Sequence, residues 1–301
     1  MLRKLLIFFI ILTSCRVGNS QNEAYELPVY YGLFFNDPQI NTLGFNNNSD
    51  IRLSVAHRRN SNNFGGINTS LFSGQFKLKS KNEKAYSTIG GQVVSDKEGF
   101  LIRRNRTSLN YGRHLKMNKK FNIAGGFSAG FYNFSIVSND VTGSYSDYAF
   151  DGSFSLALYN EKTKVGLNIN QFANPKIRPI AQEVVLARHL NIFFSQQFNL
   201  GEEVKFIPNL ITRYSKSSRS VFSGFTGSLA GSFLFNNSFI AGVSIEKSNG
   251  YYFYGGVNQI NILKSLLDIN LSYFVPSGSN QRSNVQLFEV YVICSIKTKK
   301  K

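Results

Sequence analysis

The feature that most constrains the fold of this 301-residue chain is an alternation of apolar and polar residues with period two. In the first such segment, one face carries Ile51, Leu53 and Val55. The opposite face carries Arg52 and Ser54. Successive side chains of a β-strand point to opposite faces, so the pattern predicts a strand with one apolar and one polar side.

Similar segments recur about fourteen times, and their polar positions are rich in Ser, Asn and Gly. They lie near 50–59, 64–79, 85–95, 104–116, 120–134, 148–160, 163–172, 187–200, 203–215, 219–236, 238–247, 250–260, 264–276 and 283–298. An even number of strands, with an apolar face for lipid and a polar face for the lumen, is typical of barrels that span the outer membrane. The sequence therefore predicts an all-β transmembrane barrel of about 14 antiparallel strands over residues 50–298, followed by a basic tail at 299–301.

Composition narrows the alternatives. Charged residues make up 17% of the chain, against roughly 25% in an ordinary soluble domain, and aromatic residues 14%. Beyond the leader, no run approaches the 18 apolar residues that indicate a membrane-spanning helix, and the aromatic content argues against disorder. A secreted β-sandwich also alternates and stays open at this stage, although the number and length of the segments favour a barrel.

The first residues have the layout of a secretory signal peptide. Arg3 and Lys4 precede an apolar run that is too short to span a bilayer. A small-x-small site at residues 18–20 predicts cleavage after Ser20, so residues 1–20 are expected to be removed. Cys15 also lies in a short lipoprotein-like box, which makes it a candidate lipidation site that competes with this cleavage.

Turns and loops are marked between the segments. Polar pairs at Met117-Asn118, Glu161-Lys162 and Asn236-Asn237 predict tight turns. The longer polar stretches Ser135–Asp147 and Ala173–Ala187 are expected to be surface loops.

Catalytic and metal-binding motifs are lacking. His57, His114 and His189 are the chain's histidines, and they do not have the spacing of a metal site. Two cysteines exclude a cysteine-rich zinc site. We therefore expect no enzymatic activity, no metal and no cofactor.

The formal net charge of +17 includes a group of basic residues around one predicted hairpin. They are Arg103, Arg104, Arg106, Arg113, Lys116, Lys119 and Lys120. Such a group could neutralise nucleic-acid phosphates, but in an exported barrel we expect a basic rim that meets anionic headgroups of outer-membrane lipids or an acidic partner protein, and no nucleic acid.

Several longer motifs resemble a known family. They are Tyr30–Asn41 with Gly44, Asp50–Asn60, Tyr159–Pro175, Phe206-Ile207-Pro208-Asn209 and Glu289. Together they resemble the PorP/SprF family of type IX secretion membrane proteins over most of the exported chain. Asp37 splits the family's usual Asn-Pro pair, so the chain resembles a divergent member.

The resemblance implies an integral protein of the bacterial outer membrane that serves the type IX secretion and gliding machinery. Its partners would be a secreted surface adhesin, secretion-system subunits, or both. The expected function is non-enzymatic: the barrel binds, helps export or anchors a secreted surface protein. An outer-membrane diffusion channel is the alternative within the barrel class.

Residues 21–49 are rich in aromatic residues and Asn but lack strand alternation. We expect this segment to plug or cap the barrel, with part of it available to a partner. The residues expected to make these contacts are Tyr30, Tyr31, Phe34, Phe35, Asn36 and Pro38.

Overall fold

The computed structural model describes residues 43, 49–60, 67–79, 84–99, 101–118, 120–137, 145–178, 184–186, 188–215, 224–246, 250–263, 265–276 and 287–297. Within these ranges the regular structure consists of β-strands. The same ranges contain no helix of the length and apolarity that a membrane crossing requires.

The strands are numbered in chain order. They are β1 (Ile51–Asn60), β2 (Asn68–Lys79), β3 (Ala85–Glu98), β4 (Ile102–Lys116), β5 (Asn122–Ile136), β6 (Tyr145–Tyr159), β7 (Thr163–Asn170), β8 (Lys176–Ile177), β9 (Val184–Val185), β10 (His189–Gln196), β11 (Phe198–Asn199), β12 (Val204–Ser215), β13 (Gly224–Phe235), β14 (Phe239–Glu246), β15 (Gly250–Ile262), β16 (Ser265–Pro276) and β17 (Leu287–Ile296).

The main sheet closes on itself. Each of its long strands pairs antiparallel with its neighbour along the chain, and β1 pairs with both β2 and β17. At the opposite side of the ring, β10 pairs with both β7 and β12. Short β11 lies alongside β12, and β8 pairs with β9 as a separate hairpin. The described residues thus form a closed barrel of fourteen long strands, which confirms the predicted fold and excludes the β-sandwich.

The two faces of the wall differ as the alternation predicts. Large apolar side chains on the outside are exposed, and Leu109 and Phe131 keep 72% and 63% of their surface. Their sequence neighbours Ser108 and Tyr132 point inward and are buried. An apolar band of this extent around a closed barrel is stable against lipid and would be a large aggregation-prone patch in water.

Asn residues shape the tight turns that the sequence predicts. Asn236 and Asn237 both have positive φ, at 48° and 57°, the conformation of a two-residue hairpin turn. The Asn118 side chain accepts hydrogen bonds from the backbone amides of Lys120 and Phe121, both at 2.8 Å. These contacts give the backbone amides of the turn a partner where the ladder stops.

The connections divide the barrel into two unlike ends. At the short-turn end, connections such as 160–162 and 263–264 join the strands, and β1 begins there beside the end of β17. At the long-loop end lie the connections 171–188 and 277–286. In outer-membrane barrels the short turns face the periplasm, which places the short-turn end on that side.

The connection 171–188 departs from the expected surface loop. Its β8–β9 hairpin places Ile177 and Leu186 fully buried against Tyr132 and Phe134 of β5. The Arg178 backbone N–H also donates to Asp147 Oδ2 at 2.5 Å. The expectation of a surface loop holds only in part: Asn174, Lys176 and Arg178 are exposed, but two apolar side chains of this polar stretch pack against the barrel's inner wall.

Substituting Leu109→Arg tests the assignment of the outer face. A charge on the lipid face near the middle of the membrane is expected to cost about 2–4 kcal/mol of folding free energy. The matched control is Leu200→Arg, because Leu200 is 61% exposed but lies in the connection 197–203 at the barrel end. Since the chain has no Trp, stability is measured in bilayers by heat-dependent gel mobility and circular dichroism, and equal stability of both variants would contradict the assignment.

Candidate functional site: the barrel lumen

Buried charges line the lumen near the long-loop end. Glu289 on β17 is 2% exposed and forms an ion pair with Arg58 of the neighbouring β1. Arg58 Nε donates to Glu289 Oε1 at 2.5 Å, and the Ser272 hydroxyl on β16 donates to Oε2 at 2.6 Å. Both carboxylate oxygens therefore have donors, as a buried carboxylate requires.

A second ionic group joins β4 to its neighbours. Arg106 Nε lies 2.8 Å from Asp151 Oδ2 on β6, two strands away. Gly130 of the intervening β5 is paired with Asp151. A Cβ at Gly130 would collide with the backbone of β4. The absence of a side chain at this point leaves room for the Arg106 guanidinium to pass over β5.

Arg104 and Asp96 extend this group towards the long-loop end. Arg104 Nη1 lies 3.9 Å from Asp96 Oδ2, and its guanidinium lies over the Phe134 ring at 5.3 Å. Asp96 Oδ1 accepts a hydrogen bond from the Thr69 hydroxyl at 2.6 Å. Opposite charges in this half of the lumen are thus paired with one another across the strands of the wall, which favours a fixed arrangement.

Leu43 is buried in the lumen at a lower level, nearer the short-turn end. It comes from the segment before β1 and has no exposed surface. Its carbonyl oxygen accepts from the Thr88 hydroxyl at 2.9 Å and lies 3.1 Å from His114 Nε2. Any Cβ at Gly112 or Gly126 would lie within 3.1 Å of Leu43, so these glycines make room for it.

Aromatic rings fix the His114 side of this contact. Tyr86 stacks on His114 with centroids 4.3 Å apart, and its hydroxyl lies 2.8 Å from the Tyr159 hydroxyl. Tyr159 is in turn 2.9 Å from His114 Nδ1. Both ring nitrogens of the histidine therefore have partners, one in the wall and one on Leu43. We call Thr88, His114 and the Leu43 carbonyl the Leu43 clamp.

The structure does not bring the six described members of the predicted basic group together in one rim. Arg104 and Arg106 point into the lumen and are paired with Asp96 and Asp151. Their neighbour Arg103 is exposed on the outer face at the same end. The two ends of β4 thus carry separate basic groups, and the sequence order alone made them look like one.

The other described members of the predicted basic group lie at or near the short-turn end. Arg113 is exposed on the outer wall, and Lys116 and Lys120 are exposed around the β4–β5 turn. Lys119 lies outside the described residues, as do Cys15 and the expected plug and partner residues. The latter are Tyr30, Tyr31, Phe34, Phe35, Asn36 and Pro38.

The sequence motifs included Glu289 but did not predict its ion pair with Arg58, and the acidic partners Asp96 and Asp151 were missed. A usable signal was present for Asp151 and Glu289, because each is an acid on the polar face of a predicted strand. Among the described residues no cluster of His, Cys, Asp and Glu could hold a metal ion.

The closed antiparallel ring, the exposed apolar band and the polar lumen define an integral β-barrel of the bacterial outer membrane. Solved structures share this fold. The structural alignment with a FadL homologue from Pseudomonas aeruginosa covers 93% of this chain and 99% of the homologue, with a TM-score of 0.57 and 10% sequence identity. The alignment with the toluene transporter TodX of P. putida covers 95% of this chain and 97% of TodX, with a TM-score of 0.54 and 10% sequence identity.

The family model for the type IX secretion system membrane protein PorP/SprF matches residues 22–293. The chain belongs to this family, as the sequence motifs predicted. It is a family of secretion-system membrane proteins, not of enzymes. No curated protein matches the chain.

Glu289→Ala tests the ionic group on β1, β16 and β17. The substitution leaves the Arg58 guanidinium buried without its carboxylate, which is expected to cost about 3–5 kcal/mol of folding free energy. The double variant Arg58→Met with Glu289→Leu removes both charges and is expected to recover most of that loss. Stability is measured in detergent by the temperature of the gel-mobility shift. Equal losses in the single and the double variant would show that the buried unpaired charge is not the cause.

Proposed function

We propose that this barrel binds a secreted surface protein and helps export or anchor it, without catalysis and without a continuous water path for solutes. Family membership supports the secretion context. The observation that carries the proposal is that side chains in the lumen form ion pairs and hydrogen bonds with one another. The adhesin is the expected partner class, and secretion-system subunits are a further expected contact.

The lumen of a fourteen-stranded barrel is wider than wall side chains can fill, since about eight strands are the limit for that. Yet the inward-facing Ser108, Asp151 and Glu289 are each no more than 2% exposed. Leu43 is also buried in the lumen, and it belongs to the segment before β1 and not to a strand of the wall. These facts support the hypothesis that the segment 21–49 fills the barrel and that the Leu43 clamp holds it.

The expected plug is tested by its effect on conductance. We expect purified wild-type protein in a planar bilayer to show no stepwise ion conductance. Leu43→Asp puts a charge beside His114 in an apolar site and is expected to loosen the segment and produce conductance steps. Leu200→Asp, in the exposed connection 197–203, is the matched control. Wild-type conductance equal to that of Leu43→Asp would instead support the diffusion channel.

Partner retention is tested by affinity purification of a tagged copy from detergent-solubilised outer membranes, followed by mass spectrometry. A large secreted protein or a secretion-system subunit is expected in stoichiometric amount. A secreted protein reaches the barrel from the periplasm, so we expect docking at the short-turn end. There the exposed Lys116 and Lys120 attract acidic surfaces.

The double variant Lys116→Glu with Lys120→Glu is therefore expected to lower retention about tenfold, the effect of losing roughly 1.4 kcal/mol. Arg103→Glu, at the long-loop end, is the matched control and is expected to retain the partner. Loss of the partner in Arg103→Glu, with retention in the double variant, would place docking at the long-loop end. Recovery of the bare barrel from wild-type membranes would contradict the proposal itself.

A further inference from the structure

A groove of about 400 Å³ interrupts the apolar outer wall of the barrel across β4, β5 and β6. Its sides are Tyr111 on β4, Phe127 on β5, and Phe154 and Leu156 on β6. All four side chains are exposed on the lipid face. The groove therefore opens towards the hydrocarbon, and its lining is mainly apolar, with Ser155 as a polar lining residue.

Gly125 creates this groove. In the cross-strand register it lies between Arg113 of β4 and Leu156 of β6. The outward positions next to it along β5 carry the large side chains of Ile123 and Phe127. Because Gly125 has no side chain, the outer layer of side chains is interrupted at this point. A Cβ there would already approach Leu156 Cδ2 to 3.3 Å.

Arg113, the cross-strand neighbour of Gly125 on β4, carries a positive charge. Its Nη1 donates to the Ser87 hydroxyl at 2.9 Å, and that hydroxyl lies 3.2 Å from the Tyr111 hydroxyl. These contacts hold the guanidinium against β3, on the side of β4 away from Gly125. A guanidinium has five N–H donors, so the contact with Ser87 leaves donors for a further acceptor.

The position of Arg113 in the wall is unusual for a cation. Cross-strand rows of apolar residues flank it on both sides, with Leu115, Ile123 and Leu158 towards the short-turn end and Tyr111, Phe127 and Phe154 towards the middle. A charged side chain on the lipid face is destabilising unless it reaches the headgroups or a partner of opposite charge. Phosphate oxygens suit a guanidinium because they accept paired, charge-assisted hydrogen bonds.

We propose that this groove is a specific site for one membrane glycerophospholipid, with its phosphate on Arg113 and an acyl chain in the gap over Gly125. Arg113 lies nearer the short-turn end, which faces the periplasm, so the lipid comes from the periplasmic leaflet. The site is independent of the secreted partner, because it lies on the outer wall and not at a mouth of the barrel. Its bound lipid covers the wall at Gly125, where β5 has no side chain.

The test is native mass spectrometry of the full barrel after delipidation in mild detergent, titrated with palmitoyl-oleoyl phosphatidylethanolamine. Wild type is expected to bind one lipid with saturation. Arg113→Gln removes the charge and is expected to weaken binding about tenfold, as the loss of one charge-assisted hydrogen bond implies. Gly125→Leu fills the groove and is expected to weaken binding by a similar factor.

Arg103→Gln is the matched control, since Arg103 is also exposed on the outer face of β4 but lies at the opposite end. It is expected to bind like wild type. Because Gly125→Leu could disturb folding, Ser87→Ala is a second variant that only frees the guanidinium and is expected to weaken binding several-fold, an effect of the size of one hydrogen bond. Equal lipid binding by wild type, Arg113→Gln and Gly125→Leu would overturn the proposal. Saturable binding of lipid A in place of the phospholipid in a parallel titration would overturn it as well.

Discussion

The rest of the structure depends on one constraint, which is that backbone N–H and C=O groups in the hydrocarbon of a membrane must find hydrogen-bond partners within the protein. The pairing of β1 with β17 meets it, because that ladder joins the first long strand to the last and leaves no open edge. Pairing of β10 with β12 completes the ring on the other side. Only after closure does each strand acquire a lipid side and a lumen side.

Closure creates a second problem, because a ring of fourteen strands encloses more space than its own side chains fill. The chain meets it with material from three sources. Ionic groups such as Arg58 with Glu289 extend from the wall, the β8–β9 hairpin folds in at the long-loop end, and Leu43 enters from the segment before β1. A lumen organised in this way supports the proposal that the barrel holds a protein rather than conducting solutes.

Glycines leave room for different groups on the two faces of the wall. Inside, Gly130 lets the Arg106 side chain cross β5 to Asp151, and Gly126 leaves room for Leu43. Outside, Gly125 leaves a gap that an apolar lipid chain fits. Each use depends on the residue across the strand pair. Gly125 and Gly126 are adjacent in the sequence and lie in the same strand. The strand pattern alone does not reveal which group each of them leaves room for.

The sequence by itself determined the strand number, the antiparallel barrel, the sense of each face and the family, because alternation is local and is readable in segments such as Ile51–Val55. It did not determine which charges meet. Arg103, Arg104 and Arg106 look like one basic group along the chain, but alternation sends Arg104 and Arg106 inward to acids on other strands. Those pairings depend on register and on closure, which bring together residues as distant as Arg58 and Glu289, and only the tertiary structure decides them.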